Sequence, residues 1–197
     1  MTITVSPLII FLASILTSNM ILSNFLGMCS YISISGEYKT ASSLGKSVTL
    51  VMVFTTIINY WVNKLLIVPL GLEYLQYILF IMIIAASVQI IEMAMDRLLP
   101  DLHVKLGIFL PLITVNCAIL GTTLFMVIRD YSFIQSVLFG LGSGIGWWLA
   151  ISALAAIREK MGKAKLPKGL EGPGIAFIIT GIMALAFIGF SGIFSIT

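Results

Sequence analysis

The segment "LPLITVNCAIL", Leu110 to Leu120, places a proline, an asparagine and a cysteine within a run apolar enough to cross a bilayer. A proline inside a membrane-spanning helix leaves a backbone carbonyl without its usual partner and bends the helix. Irregular backbone at membrane depth persists only where protein or water satisfies it, so such a break usually lines a site. The segment therefore predicts a discontinuous helix with a thiol, Cys117, beside exposed backbone groups.

The composition of the whole chain indicates an integral membrane protein. Of its 197 residues, 59% are hydrophobic and only 10% are charged, whereas about a quarter of the positions in a soluble domain are charged. At roughly 20 apolar residues per crossing, the length allows about six spans in one membrane domain, residues 1–197. The net charge of +3 does not indicate a nucleic-acid partner, because the basic residues lie between the apolar runs.

Apolar runs and helix breakers predict an all-α fold of six membrane-spanning helices. The first is interpreted as a retained span, because it has neither a basic leading region nor a small-residue cleavage site. Each half of the chain, about 1–100 and about 101–197, holds three spans, and an odd number of crossings makes a repeat inverted. The predicted spans are Val5 to Tyr31, Ala41 to Val62, Leu75 to Met95, Leu106 to Ile128, Phe133 to Ile157 and Gly174 to Ile196.

The distribution of Lys and Arg predicts the orientation in a bacterial inner membrane, because short loops rich in these residues stay in the cytoplasm. Of the 11 basic residues, only Lys64 and Arg129 lie on one side. The opposite loops are therefore expected to be cytoplasmic and both termini periplasmic. These loops hold Lys39, Lys46, Arg97, Lys105, Arg158, Lys160, Lys163, Lys165 and Lys168.

The first and fourth spans share a pattern of small and polar residues around a cysteine. "SNFLGMCSYI" from Ser23 resembles "TVNCAILGTT" from Thr114 in its Asn, Cys and Gly content. An inverted repeat places corresponding elements face to face near the midplane. We therefore expect helices 1 and 4 to be broken, and to bring Cys29 and Cys117 to comparable depth.

Several roles are open to Cys29 and Cys117, the only two cysteines. They can be inert small hydrophobes, or form a disulfide, although the midplane offers no evident oxidant. A zinc site would need more ligands than two thiolates, and the single histidine, His103, lies in a loop. An iron–sulfur cluster also needs four protein ligands. If the two cysteines bind a [2Fe-2S] cluster, a second polypeptide must therefore supply the other pair.

Four longer stretches of the chain carry a resemblance to a known family. They are "NFLGMC" from Asn24, "LGIFLPLITVNCAILG" from Leu106, "FGLGSGIGWWLAISALAAIREKM" from Phe139 and "ALAFIGFSGI" from Ala184. These stretches resemble the E subunits of the Na+-translocating NADH:quinone reductases, whose family shares ancestry with the A subunits of the Rnf ferredoxin:NAD reductases. "VNCAI" and "GSGIGWWLAI" resemble the quinone-reductase branch more than the Rnf branch.

The resemblance implies that the chain pairs with a homologous D subunit of opposite orientation. The two would hold one [2Fe-2S] cluster inside the membrane, with Cys29 and Cys117 as the ligands from this chain. The cluster would relay electrons from the cytoplasmic NADH-, FAD- and [2Fe-2S]-carrying subunit toward FMN-bearing subunits, coupled to Na+ export. NADH oxidation and quinone reduction would occur in those other subunits, so no catalytic residue is expected here.

Polar groups beside the cysteines fit that implied role, because iron–sulfur potentials respond to hydrogen bonds to sulfur. Asn24 and Asn116, together with backbone N–H groups freed at Gly27 and Gly121, are expected to donate to the cluster. In the alternative interpretation, the asparagines only satisfy carbonyls of the broken helices.

An acid within the third predicted span, Glu92 in "VQIIEMAMDRL", is a functional candidate because ionisable groups in spans are rare. It can be an interfacial acid paired with Arg97. The resemblance favours a Na+ or proton group at the cytoplasmic entrance, where Gln89 would add an oxygen ligand.

The glycines of "FGLGSGIGWW", which include Gly140 and Gly144, superficially resemble a nucleotide-binding loop. That interpretation fails, because the run lies in an apolar span with no preceding strand. Glycines four apart instead predict close helix packing.

A non-redox interpretation of the chain also remains. In it, the protein is a small transporter component whose inverted repeat holds a substrate between broken helices, and the cysteines are incidental.

Overall fold

The computed structural model describes residues 6–98, 110–162 and 172–189. Every regular element in these ranges is a helix, which confirms the all-α prediction. The predicted third and fifth loops, with His103 and Lys105, fall largely outside these ranges, as does the end of the sixth span. The helices are α1 (Pro7–Ile15), α2 (Met28–Ile34), α3 (Tyr38–Val62), α4 (Gln76–Leu98), α5 (Leu110–Thr114), α6 (Cys117–Ile128), α7 (Phe133–Met161) and α8 (Pro173–Ile188).

Several helical stretches in the described ranges are long and apolar enough to span a membrane. These are Tyr38–Leu70, Glu73–Ala94, Pro111–Ile128 and Phe133–Met161, and the apolar helix Pro173–Ile188 is shorter. The first stretch is longer than the predicted second span, because α3 continues through a π-helical turn, Asn63–Ile67. The chain therefore has the helices of a multi-pass membrane protein, while the six-span inverted repeat and the location of the termini stay predictions.

The long helix α7 packs closely on α3 through Gly140 and Gly144. A Cβ atom added to Gly140 would lie 2.9 Å from Thr56 Oγ1, and one added to Gly144 would lie 2.8 Å from Thr49 Cγ2. Each glycine therefore admits a threonine of α3 into space that any other residue would occupy.

A second face of α7 packs on α1 through Gly142 and Gly146. A Cβ atom on Gly142 would lie 2.7 Å from the carbonyl oxygen of Phe11, and one on Gly146 would lie 3.0 Å from that of Ile15. Close packing was predicted for glycines four apart, and the structure confirms it. Because the two pairs point in different directions, α7 touches two helices at once and forms the centre of the described bundle.

Candidate functional site

Both cysteines lie where a broken helix resumes. Between α1 and α2, residues 16–27 form turns, and Cys29 is the second residue of α2. Only Val115 and Asn116 separate α5 from α6, and Cys117 is the first residue of α6. The expected breaks in both helices are therefore present, and both cysteines are exposed on the surface of the chain.

The first break is organised by Asn19, which is buried. Its Oδ1 accepts hydrogen bonds from the N–H groups of Ile21 and Leu22, at 3.0 and 3.3 Å. Its Nδ2 donates to the carbonyl of Ile15 at 3.1 Å and to that of Gly146 in α7 at 2.9 Å. Three backbone groups that the interrupted helix would leave unpaired are thereby satisfied by one side chain, and the fourth bond joins the break to α7.

The second break is capped by Asn116, whose Oδ1 accepts from the N–H of Ala118 at 3.0 Å. This is the usual role of an asparagine at the start of a helix. The Nδ2 of Asn116 also donates to Ser30 Oγ at 3.2 Å. Since Ser30 follows Cys29 and Asn116 precedes Cys117, one buried hydrogen bond joins the immediate neighbours of both thiols. The fold thus brings the two breaks together.

Gly27 lies at the contact between the breaks. Its φ of +82° belongs to the left-handed region, which side chains disfavour and glycine adopts freely. A Cβ atom there would lie 2.7 Å from Asn116 Oδ1 and 2.8 Å from Trp147 Nε1. Both the backbone conformation and the available space therefore require glycine at this position.

Trp147 of α7 covers the same contact from the other side. Its side chain is fully buried, and its Nε1 has no hydrogen-bond partner among the described residues. Ser143, one turn earlier on α7, is also buried with an unpaired hydroxyl in this part of the chain. An unpaired buried polar group is costly, and this one lies next to Gly27, at the contact between the two breaks.

The predicted sulfur donors lie near the breaks, but their observed bonds go elsewhere. Asn24 Nδ2 donates to the carbonyl of Asn19 at 3.4 Å, and Asn116 serves the backbone as described above. The alternative interpretation, that the asparagines satisfy backbone groups, accounts for these bonds. Roles of Asn24, Gly27 and Asn116 toward sulfur stay predictions.

Gly121 differs from its expected geometry. A freed backbone N–H was expected there, but Gly121 lies a full turn inside the regular helix α6, where the N–H belongs to the helix ladder. Its missing side chain instead admits the side chain of Leu26 from the first break. Gly121 therefore contributes to packing between the two breaks.

Arg158 is a residue of the site that sequence reasoning assigned only to topology. Its Nη1 donates to the carbonyl of Ile32 at 3.0 Å and to Ser35 Oγ at 2.6 Å. These acceptors lie at the C-terminal end of α2, where a cation is favoured by the helix dipole. Arg158 thus holds the short helix that carries Cys29. No local pattern signals this contact, because it joins positions 126 residues apart.

Replacement of Arg158 by alanine is expected to loosen α2. Hydrogen bonds from a charged donor contribute about 1.5–3 kcal/mol when buried, and partial exposure of this arginine reduces the expected loss to about 1 kcal/mol. Backbone hydrogen exchange of the peptide that covers α2 should become faster in the detergent-purified protein. Lys160→Ala removes an exposed charge two residues away and is the matched control. Equal exchange in the two variants would show that Arg158 does not hold α2.

Glu92 lies on α4 and is half-buried, whereas Gln89 and Arg97 are exposed. The buried face of α4 includes Ile84 and Val88, so Glu92 lies one turn beyond Val88 at the edge of that face. This position leaves open both the interfacial interpretation and the ion-binding one.

No group of three or more His, Cys, Asp or Glu side chains within the described ranges could hold a metal ion. This part of the chain therefore forms no complete iron–sulfur or zinc site by itself. Cys29 and Cys117 are both exposed on the surface of the described part of the chain.

Comparisons with known proteins identify the family of the chain. Residues 8–194 match the family described as "Rnf-Nqr subunit, membrane protein". Proteins named as the E subunit of "Na(+)-translocating NADH-quinone reductase" from Serratia proteamaculans (strain 568), Klebsiella pneumoniae and Yersinia enterocolitica are each 50% identical to it over 190 residues. Each alignment covers 93% of this chain and 96% of the relative. The chain therefore belongs to the Rnf-Nqr family of membrane proteins.

Proposed function

We propose that this chain acts as the E subunit of a Na+-translocating NADH-quinone reductase and shares an intramembrane [2Fe-2S] cluster with a homologous D subunit. The observation that carries the proposal is the Asn116–Ser30 hydrogen bond, which joins the neighbours of two exposed cysteines, each in the first turn of a resumed helix. The names of the relatives support the complex to which the chain would belong.

The residues present fit one half of a [2Fe-2S] site. Such a cluster takes four protein ligands, generally thiolates, and Cys29 and Cys117 would provide two of them. A cluster shared between two subunits requires exposed thiols, because a buried thiol could not bind a cluster whose other ligands come from a partner. Cys117 is also the first residue of α6, at the positive end of the helix dipole, where a negatively charged cluster would be favoured. When bound, the cluster supplies one-electron transfer.

This chain would then be one step in an electron path through a larger enzyme. Electrons would pass from the NADH-, FAD- and [2Fe-2S]-carrying subunit toward the FMN-bearing subunits, and the flow would drive Na+ export. NADH oxidation and quinone reduction belong to other subunits, so this chain contributes no complete active site. Its own residues hold the two thiols at a set position.

Co-expression with a homologous D subunit tests the sharing of the cluster. We expect the purified pair to contain about two iron atoms and two acid-labile sulfides, with a [2Fe-2S] electron paramagnetic resonance (EPR) signal after reduction. Either chain purified alone should contain neither. A stable pair without iron would refute the shared cluster and favour the non-redox transporter.

For Na+ we propose a role for Glu92 at the cytoplasmic entrance. Glu92→Gln removes the charge while keeping the shape, and we expect the Na+ concentration for half-maximal turnover to rise roughly tenfold, equivalent to about 1.4 kcal/mol of lost binding. The cluster content should be unchanged. Glu73→Gln, at an exposed acid in the turn before α4, is the control. If the Na+ dependence of turnover is unchanged, Glu92 does not bind Na+ and the interpretation as an interfacial acid holds.

A further inference from the structure

A groove of about 590 Å³ runs along the outer face of the bundle between α3 and α7. Apart from Thr49 and a single charged residue, Lys46, its lining is apolar. Leu50 and Phe54, which line it, are 59% and 40% exposed. The groove is therefore apolar along its length and carries one positive charge at one end.

The charged end has a built geometry. Lys46 Nζ lies 5.6 Å from the ring centroid of Trp148, and Trp148 Nε1 donates to Ser42 Oγ at 3.2 Å. The indole ring occupies the space that a side chain on Gly45 would fill. The ring is thereby fixed, while Lys46 remains exposed and available to an anion.

The length of the groove matches one leaflet of a bilayer. Lysine and tryptophan side chains gather at the membrane interface, which places the Lys46 end at headgroup depth. From Lys46 to Ile57 at the other end, eleven helical steps of about 1.5 Å cover about 16 Å, or about half of a hydrocarbon core of about 30 Å.

We propose that this groove binds an anionic phospholipid of the leaflet at the Lys46 end. That leaflet is cytoplasmic according to the distribution of basic residues. The phosphate pairs with Lys46 beside the indole of Trp148, and one acyl chain lies along Leu50, Phe54 and Ile57. The site is separate from the two cysteine-bearing breaks, and it does not depend on the proposed redox function.

Lipid retention by the purified complex tests the proposal. A lysine near an anionic headgroup contributes about 1 kcal/mol, so Lys46→Ala should retain about fivefold less phosphatidylglycerol in native mass spectrometry. Lys39→Ala removes an exposed charge near the same end of α3 and should retain the wild-type amount. Lys46→Arg keeps the charge and should also retain it.

A photo-crosslinking experiment locates the bound lipid in the same complex. Phosphatidylglycerol with a diazirine on its acyl chain should label the peptide that contains Leu50 and Phe54, and Lys46→Gln should remove the label. Zwitterionic phosphatidylcholine with the same acyl chain should label it about fivefold less. The proposal would be overturned if Lys46→Ala and the wild type retained equal amounts of lipid, or if the labelling did not depend on the headgroup. It would also be overturned if a partner protein covered the groove and no lipid label were found there.

Discussion

Replacement of either cysteine by serine is expected to abolish the [2Fe-2S] signal of the assembled complex that this chain would form with its homologous partner. Serine nearly keeps the size of the side chain but supplies a hydroxyl in place of the thiolate that generally ligates iron–sulfur clusters. Cys29 and Cys117 each lie in the first turn of a resumed helix and would supply two of the four ligands, so loss of one leaves three. The EPR signal after reduction, and the iron and acid-labile sulfide contents, should all fall in Cys29→Ser and in Cys117→Ser.

A matched control separates loss of a ligand from general damage to the break. Met28→Leu changes the neighbour of Cys29 at nearly constant volume, an exchange that usually costs less than about 1.5 kcal/mol. This variant should keep the cluster, as judged by the same measurements. Full iron and sulfide content in both serine variants would contradict the proposed ligand role and leave the thiols as small hydrophobic residues.

Gly27→Ala is expected to have the largest effect among substitutions that leave the thiols in place. The left-handed backbone costs a residue with a side chain about 1–3 kcal/mol. The added methyl group would also overlap Asn116 Oδ1 and Trp147 Nε1, which lie 2.7 and 2.8 Å from its position. Because Asn116 and Trp147 are buried, neither side chain can move into free space. Cluster content and the thermal unfolding midpoint should therefore fall together.

Two other glycines divide this effect into its causes. Gly71 has φ of +64° with no atom within 4 Å of a Cβ, and Gly36 has the same open space without a positive φ. Gly71→Ala therefore measures the cost of the left-handed backbone alone. Gly36→Ala involves neither the left-handed backbone nor crowding by neighbouring atoms. If Gly27→Ala behaves like Gly71→Ala and keeps the cluster, the crowding between the breaks is not what holds the thiols.

Local rules predicted much of the architecture. Runs of apolar residues predicted helices, and the Asn, Cys and Gly content around Cys29 and Cys117 predicted two breaks. The four-residue spacing of Gly140, Gly142, Gly144 and Gly146 predicted close packing, and the structure shows this packing against two different helices. These features follow from short-range properties: the absence of a side chain, the rigidity of proline, and the cost of unpaired backbone in lipid.

Local sequence patterns did not predict other parts of the site. Sequence reasoning selected Asn24 beside Cys29, whereas the structure assigns the organisation of that break to Asn19. Both are asparagines in an apolar run, and only the approach of the Gly146 carbonyl from α7 distinguishes them. Arg158 is a similar case, because its contact with the end of α2 depends on how α7 passes that helix.

The amino-acid sequence alone determined the membrane environment, the helical class and the presence of two interrupted helices with one thiol each. The tertiary structure decided that these interruptions meet, through Asn116 and Ser30 and over the bare backbone of Gly27. It also decided which side chains hold them, namely Asn19, Trp147 and Arg158. The physical reason is that solvent preference and backbone conformation are properties of neighbouring residues. A hydrogen bond or a close contact between positions about a hundred residues apart exists only when packing has set the distance.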